Sequence, residues 1–184
     1  MNIFISLIVV LWIIFWIYWL VSAIRSKRTV GTNLWVRGAW IRIALLVVIL
    51  LFIRVPLFET RVVPPSILTS VIGLILVLAG FAFAVWARRH LGKNWGMPMS
   101  VKENPELVIS GPYALVRHPI YTGFILAMIG TALAVGIEWF IYALVVAIYF
   151  IYSAKMEEKL MLKQFPNEYP AYMKRTKMIV PFIL

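Results

Sequence analysis

Ile3 to Ile24 runs for about 22 residues without a charged side chain, close to the ~20 that an α-helix needs to cross the hydrocarbon core of a bilayer. Ser66 to Ala87 is a second uncharged run, and Ile43 to Ile53 forms the heart of a third. Ile120 to Val135 and Trp139 to Ala154 are two shorter apolar runs, split by Gly136-Ile137-Glu138. In hydrocarbon the backbone must satisfy its own polar groups, so such runs fold as helices or not at all. The first run is too long and too rich in Trp for a cleaved signal peptide, and no small-residue cleavage pattern follows it. The composition agrees: 63% of residues are hydrophobic and the mean hydropathy is +0.93, well beyond a soluble domain. The expected fold is an all-α integral membrane protein of about five transmembrane helices, near 2–24, 40–58, 66–87, 119–135 and 138–154. Short linkers and the absence of internal repeats predict a single domain over 1–184.

Charge then orients the bundle. The chain carries 18 Lys+Arg against 7 Asp+Glu. On a soluble protein that excess would suggest nucleic acid; flanking apolar helices, it sets topology and touches anionic headgroups, so no nucleic-acid partner is expected. Arg25, Lys27, Arg28 and Arg37 follow the first span, and Arg88, Arg89, Lys93, Lys102 and Arg117 follow the third. The turn at Gly136 has Glu138 and no cation, whereas Lys155, Lys159, Lys163, Lys174, Arg175 and Lys177 follow the last span. The alternation predicts a multi-pass protein of the cell membrane with its N-terminus outside and these basic segments in the cytosol. The tail 155–184 is expected to be cytosolic. It continues as a helix to about Phe165, is interrupted by Pro166 and Pro170, and is tucked against the protein or the interface at Ile179 to Leu184. With no Cys and only two His, His90 and His118, a metal site is not expected.

Gly111-Pro112-Tyr113-Ala114-Leu115-Val116-Arg117-His118-Pro119-Ile120-Tyr121-Thr122-Gly123 gathers most of the reactive polar groups at the mouth of an apolar helix. Polar and ionisable side chains are costly at such a depth and mark function more often than packing. Pro119 suits the first helical turn, where its missing N–H costs nothing. Arg117 and His118 then sit at a helix N-terminus, whose free N–H groups favour a carboxylate or phosphate. The plainer reading makes Arg117 and His118 interfacial anchors and Tyr121 a belt aromatic.

Glu157-Glu158 lies just beyond the last apolar run, among Lys155 and Lys159. Adjacent helical residues point about 100° apart, so one carboxylate at most is expected to face inward. The last two spans form a hairpin about Gly136, with His118 eighteen residues before it and Glu157 twenty-one after. At ~1.5 Å per residue both lie about 30 Å from the turn, at one depth. Lys102 to Tyr113, with Pro105 and the Ser110-Gly111-Pro112 turn, is the non-helical approach, and non-helical backbone near a membrane buries itself in protein or lines a polar cavity. Asn94 and Trp95 are weaker candidates for the same wall.

Together these elements resemble the isoprenylcysteine carboxyl methyltransferase family and its relatives among the membrane phospholipid methyltransferases. The matching pieces are Leu107-Val108-Ile109-Ser110-Gly111-Pro112-Tyr113, Arg117-His118-Pro119-Ile120-Tyr121-Thr122-Gly123, Glu157-Glu158, Phe165, Glu168-Tyr169 and Tyr172, in order from about Leu91 onward. The resemblance implies a methyltransferase that uses S-adenosylmethionine, releases S-adenosylhomocysteine and encloses the cofactor near the cytosolic surface. It implies cofactor contacts at Lys102, Glu106, Leu107, Val108, Tyr113, His118, Pro119, Ile120, Tyr121 and Glu157. Where the family holds the acceptor carboxylate with an Arg four residues before the Glu pair, this chain has Ser153. Glu158 and Arg175 are the acceptor-side candidates that remain, with Lys155 a further cation nearby. The acceptor is expected to be a small lipophilic molecule or lipid met within the membrane, either prenylcysteine-like or an amine or phospholipid, and the protein a monomer. Membrane sterol reductases share a similar His-Pro-x-Tyr-x-Gly element and use a nicotinamide cofactor, and a non-enzymatic membrane scaffold is the third reading.

Overall fold

The structure, a computed structural model, describes residues 3–24, 29–30, 65–96, 101–136 and 139–181. The helices among them are α1 (Ile3–Ala23), α2 (Ile67–Leu91), α3 (Pro119–Val135), α4 (Trp139–Gln164) and the short α5 (Tyr169–Arg175). Two residues on each side, Thr29–Val30 and Val101–Lys102, pair antiparallel with Thr29 opposite Lys102. The stretches Ile3–Ala23, Ile67–Asn94 and Trp139–Gln164 are long and apolar enough to cross a membrane, and Pro119–Val135 is a shorter apolar helix. The chain is an all-helical integral membrane protein. The span expected near 40–58 lies outside the described residues.

Local signals set the helix ends. Ser66 caps α2, its hydroxyl accepting from the Thr69 N–H at 3.1 Å. Gly92 stops α2 with φ of +56°, a conformation glycine adopts without a Cβ penalty. Pro119 opens α3, and Gly136 ends it while its carbonyl accepts from the N–H of Trp139, the first residue of α4, at 3.1 Å. Helix α2 continues past Ala87 because hydropathy reports the membrane and not the helix. Its extra turn carries Arg88, which donates to the Ser22 carbonyl at 2.5 Å and the Gly92 carbonyl at 2.7 Å and lies over the Trp95 ring. That arginine ties the end of α1 to the end of α2.

Helices that are apolar on every face cannot be oriented by the hydrophobic effect alone, because lipid is as apolar as leucine. Here small residues decide which faces meet. Gly73 and Gly80 on α2 face Gly130 and Gly123 on α3, antiparallel and each pair seven residues apart. A Cβ added to any of the four would stand 2.5 Å from the carbonyl oxygen of the facing glycine. Ala84, Ala127, Ala134 and Val77 fill the rest of the seam and are fully buried. Helix α1 covers one side of this pair. Phe15 stacks on Phe81 at 4.3 Å, and Trp12 meets Phe81 and Phe124 edge-on at 4.8 and 5.3 Å. The Trp12 indole N–H donates to Thr131 Oγ1 at 3.0 Å, and that hydroxyl donates to the Ala127 carbonyl, so the polar atoms of this contact satisfy one another. Ile13, Ile17, Ile75, Leu78 and Leu144 point outward, as lipid-facing residues should.

Gly80→Leu or Gly123→Leu should therefore destabilise the fold by at least about 1–3 kcal/mol, the cost of forcing atoms into a filled interface. Lipid-facing Leu78→Val should be nearly neutral. Thermal unfolding in detergent, followed by circular dichroism, checks both.

Candidate functional site

The reactive segment is held in place by the tail. The Ser110-Gly111-Pro112 turn passes through Gly111 at φ of +60°, where a Cβ would run into the His90 ring, and His90 Nε2 lies 2.9 Å from Ser110 Oγ. One 3-10 turn, Gly111–Ala114, follows, and then the chain bends through residues 116–118 to the start of α3. Backbone groups outside a helix need partners, and residues 177–178 supply them here. The Arg117 N–H donates to the Lys177 carbonyl at 2.8 Å, and the His118 N–H to the Met178 carbonyl at 3.0 Å. The Thr122 hydroxyl reaches the Ile179 carbonyl at 2.6 Å, and the Tyr172 hydroxyl reaches the Tyr113 carbonyl at 2.6 Å. Met178 and Ile179 are buried against Tyr121 and Ala154, as expected of the end of the tail; residues 182–184 lie outside the described set.

The side chains then converge. Arg117 Nε donates to Glu158 Oε1 at 2.6 Å, both side chains about 10% exposed, and its Nη1 donates to the Thr176 and Met173 carbonyls. Tyr121 donates to Glu157 Oε1 at 2.6 Å. His118 lies between the carboxylates, Nδ1 3.4 Å from Glu157 and Nε2 3.5 Å from Glu158. Its ring is parallel to that of Tyr121 at 5.5 Å, and Tyr121 stacks on Phe150 at 4.4 Å. Burial alone would lower the His118 pKa, but the two carboxylates outweigh it and raise it above the ordinary imidazole value. Burial, aided by the charge of nearby acidic groups, raises the pKa of Tyr113 and of Tyr169; Tyr172 is pushed up to about 12, mainly by burial. All three phenols stay protonated, and that of Tyr172 donates to the Tyr113 carbonyl.

Both glutamates face inward, not one. The 100° between them straddles the groove above the start of α3, so Glu157 takes Tyr121 and Glu158 takes Arg117.

A cavity of about 950 Å³ opens beside this cluster. Of the residues expected at the cofactor, Glu106, Leu107, Val108, Tyr113, His118, Ile120, Tyr121 and Glu157 line it. Pro119 is buried behind them as the first residue of α3 and does not line it. Lys102 contributes backbone to the short antiparallel pair. Glu158 is held by Arg117 outside the lining, and Arg175 is exposed at the end of α5, away from the cavity. Ser153 is fully buried and does not line it either. Asn94 does, with its Nδ2 3.3 Å from Glu106 Oε2. Sequence reasoning missed Trp12, Trp16 and Trp19 of α1 and Tyr149 and Phe150 of α4, which form the cavity's aromatic wall. The density of Trp in α1 was the available signal, but it reads equally as an interfacial belt.

A model of the family described as phospholipid methyltransferase matches residues 68–168, more than half of the chain. The chain is 30% identical over 120 residues to a protein-S-isoprenylcysteine O-methyltransferase of Saccharomyces cerevisiae, covering 63% of this chain and 50% of that protein. It is 34% identical to the human protein of that name, covering 62% of this chain and 42% of the relative. A methanethiol S-methyltransferase of Pseudomonas deceptionensis is 36% identical over 69 residues, 38% of this chain and 26% of that one. The chain thus spans about half the length, or less, of these relatives. Among solved structures, a eukaryotic intramembrane Ras methyltransferase, an isoprenylcysteine carboxyl methyltransferase, matches with a TM-score of 0.57 and 28% identity, over 63% of this chain and 43% of that one.

Two predictions follow from the buried charges. Arg117→Ala or Glu158→Ala strands a buried partner and should cost about 3–5 kcal/mol of stability, read from denaturation in detergent, while exposed Arg175→Ala should cost little. Because the folded pKa of His118 is raised, its stabilisation is complete below the ordinary value of 6.5 and is lost as pH rises through the folded value. Melting temperatures taken between about pH 6 and pH 9 should fall for the native chain, and His118→Gln should flatten that dependence.

Proposed function

The chain belongs to the phospholipid methyltransferase family, and from that premise we propose that it is an S-adenosylmethionine-dependent methyltransferase of the membrane, acting on a small lipophilic acceptor. The observation that carries this reading is one cavity with two chemistries. At one end stand Glu106, Tyr113, His118, Tyr121 and Glu157; at the other, between α1, α3 and α4, the walls are aromatic and aliphatic. A polar charged cofactor suits the first end and an apolar acceptor the second.

The residues present fit the cofactor. Asn94 Oδ1 and His118 Nε2 are buried, line the cavity and have no hydrogen-bond partner among the described residues, although His118 Nε2 is within ion-pair reach of Glu158. Such groups are costly unless something supplies the missing bond. In this assignment His118 and the start of α3 hold the methionine carboxylate, and Glu157 holds the amine or the ribose hydroxyls. The extended Glu106-Leu107-Val108 backbone meets the adenine edge, with Lys102 and Pro119 at the margin. Tyr113 offers its ring to the positive sulfur, and Tyr121, stacked on Phe150, lines the same end. When bound, the cofactor supplies an electrophilic methyl group. The chain's own contribution is to orient both partners and keep water out, which can provide much of the rate of a displacement. Arg117 and Glu158 keep the His118 segment in register. Basic residues at this end of the helices support a cytosolic site with the N-terminus outside.

The relatives' names offer two acceptor chemistries, a prenylcysteine carboxylate and a thiol. Isothermal titration in detergent should show binding of S-adenosylhomocysteine and none of NADPH. His118→Ala and Glu157→Ala should each weaken S-adenosylhomocysteine at least tenfold, about 1.4 kcal/mol. Unchanged affinity in both folded variants would overturn the assigned pocket.

A further inference from the structure

The deeper end of the cavity has a charge pattern of its own. The charged side chains that line the cavity, among the described residues, are Glu106, Arg117, His118 and Glu157, and all four lie at the end near the start of α3. Arg117 is already held by Glu158 and two backbone carbonyls, and His118 lies between two carboxylates. Moving away from them along α3 and α4, the lining becomes Phe124, Met128, Phe150, Val146 and Trp139, with Trp12 and Trp16 opposite on α1. The position where the resembling family carries an arginine is Ser153, buried outside the lining, and Lys155 and Arg175 are exposed elsewhere.

One polar group in this chamber is unaccounted for. Trp12 and Thr131 satisfy each other. The Tyr149 hydroxyl is buried and has no hydrogen-bond partner among the described residues, while Tyr149 lines the cavity beside Phe150. The hydroxyl belongs to the residue eight before Glu157 on α4, two turns further along the wall and within electrostatic reach of Tyr121. A buried hydroxyl without a partner is destabilising unless a bound molecule provides one. An anion entering this chamber would shed its water and find a single neutral hydroxyl in exchange, with no unpaired cation on the described walls. A neutral head group needs no more than the one bond.

Resting on the methyltransferase reading above, we infer that the chamber takes an apolar acceptor with a small uncharged head group of the thiol class, its heteroatom set against the Tyr149 hydroxyl, and discriminates against a carboxylate. The acceptor's chain lies between Trp12, Trp16 and Trp139, whose area accounts for affinity, and Tyr149 is a positioning residue for the head group.

The tryptophans of the chamber give a readout independent of turnover. With the full chain in detergent and S-adenosylhomocysteine present, decanethiol should change the intrinsic fluorescence saturably, and decanoate should bind at least about tenfold more weakly. Tyr149→Phe should weaken decanethiol by about threefold or more while S-adenosylhomocysteine affinity, from calorimetry, stays within about twofold. Decanoate binding as tightly as decanethiol, or an unchanged decanethiol affinity in Tyr149→Phe, overturns the inference. Saturable decanethiol binding without any S-adenosylhomocysteine binding would support the chamber and sink the methyltransferase reading. The reverse, cofactor binding with decanoate preferred, sinks the inference alone.

Discussion

Four glycines set the distance between α2 and α3, and the rest of the molecule is arranged around that distance. With a Cβ in place, each would press on the carbonyl of its opposite number at 2.5 Å. In a bilayer this close approach replaces the hydrophobic drive that orders a soluble core. It gives dispersion contacts along the whole seam and lets α1 lie across the pair through Phe15, Phe81 and Phe124. It also fixes where α3 starts. Pro119 can hold His118 over the cavity because the helix behind it cannot slide or rotate.

The polar end is built from sequence-distant parts that solve one another's problems. Residues 116–118 have backbone groups to satisfy outside any helix, and so do residues 177–178; each is the other's partner. Arg117 needs an anion, and Glu158 needs a cation. An ion pair of this kind adds little net stability over apolar packing, but breaking it is expensive, which makes it a device for register. Its result is that His118, Tyr121 and Glu157 face the cavity as a linked group while their neighbours in sequence hold the scaffold.

Much of this was legible in the chain. Uncharged runs of membrane length gave the helices, and the arithmetic about Gly136 brought Glu157 to the depth of His118. Hydropathy could not say which faces meet, since α1, α2 and α3 are apolar all round; only the seven-residue spacing of Gly73 and Gly80 with that of Gly123 and Gly130 carried this, and it passes easily for ordinary composition. The inward turn of both Glu157 and Glu158 depended on Arg117 reaching across from another segment, which no local rule encodes. Tyr149 and the tryptophans of α1 were invisible as site residues for a related reason: an aromatic in an apolar helix has the same sequence signature facing lipid as facing a cavity.

The clasp between residues 116–118 and the tail has a consequence in time. Arg117 hydrogen-bonds the carbonyl of Thr176, 59 residues further along the chain. At ~5–20 residues per second, synthesis separates the two by about 3–12 s. Until Thr176 is made, Glu158 is present but the carbonyl that completes the shell of Arg117 is not. The mouth of α3 can therefore be latched only after residues 176–178 have been made, and a nascent chain stalled before Thr176 lacks the backbone carbonyls that Arg117 and His118 need.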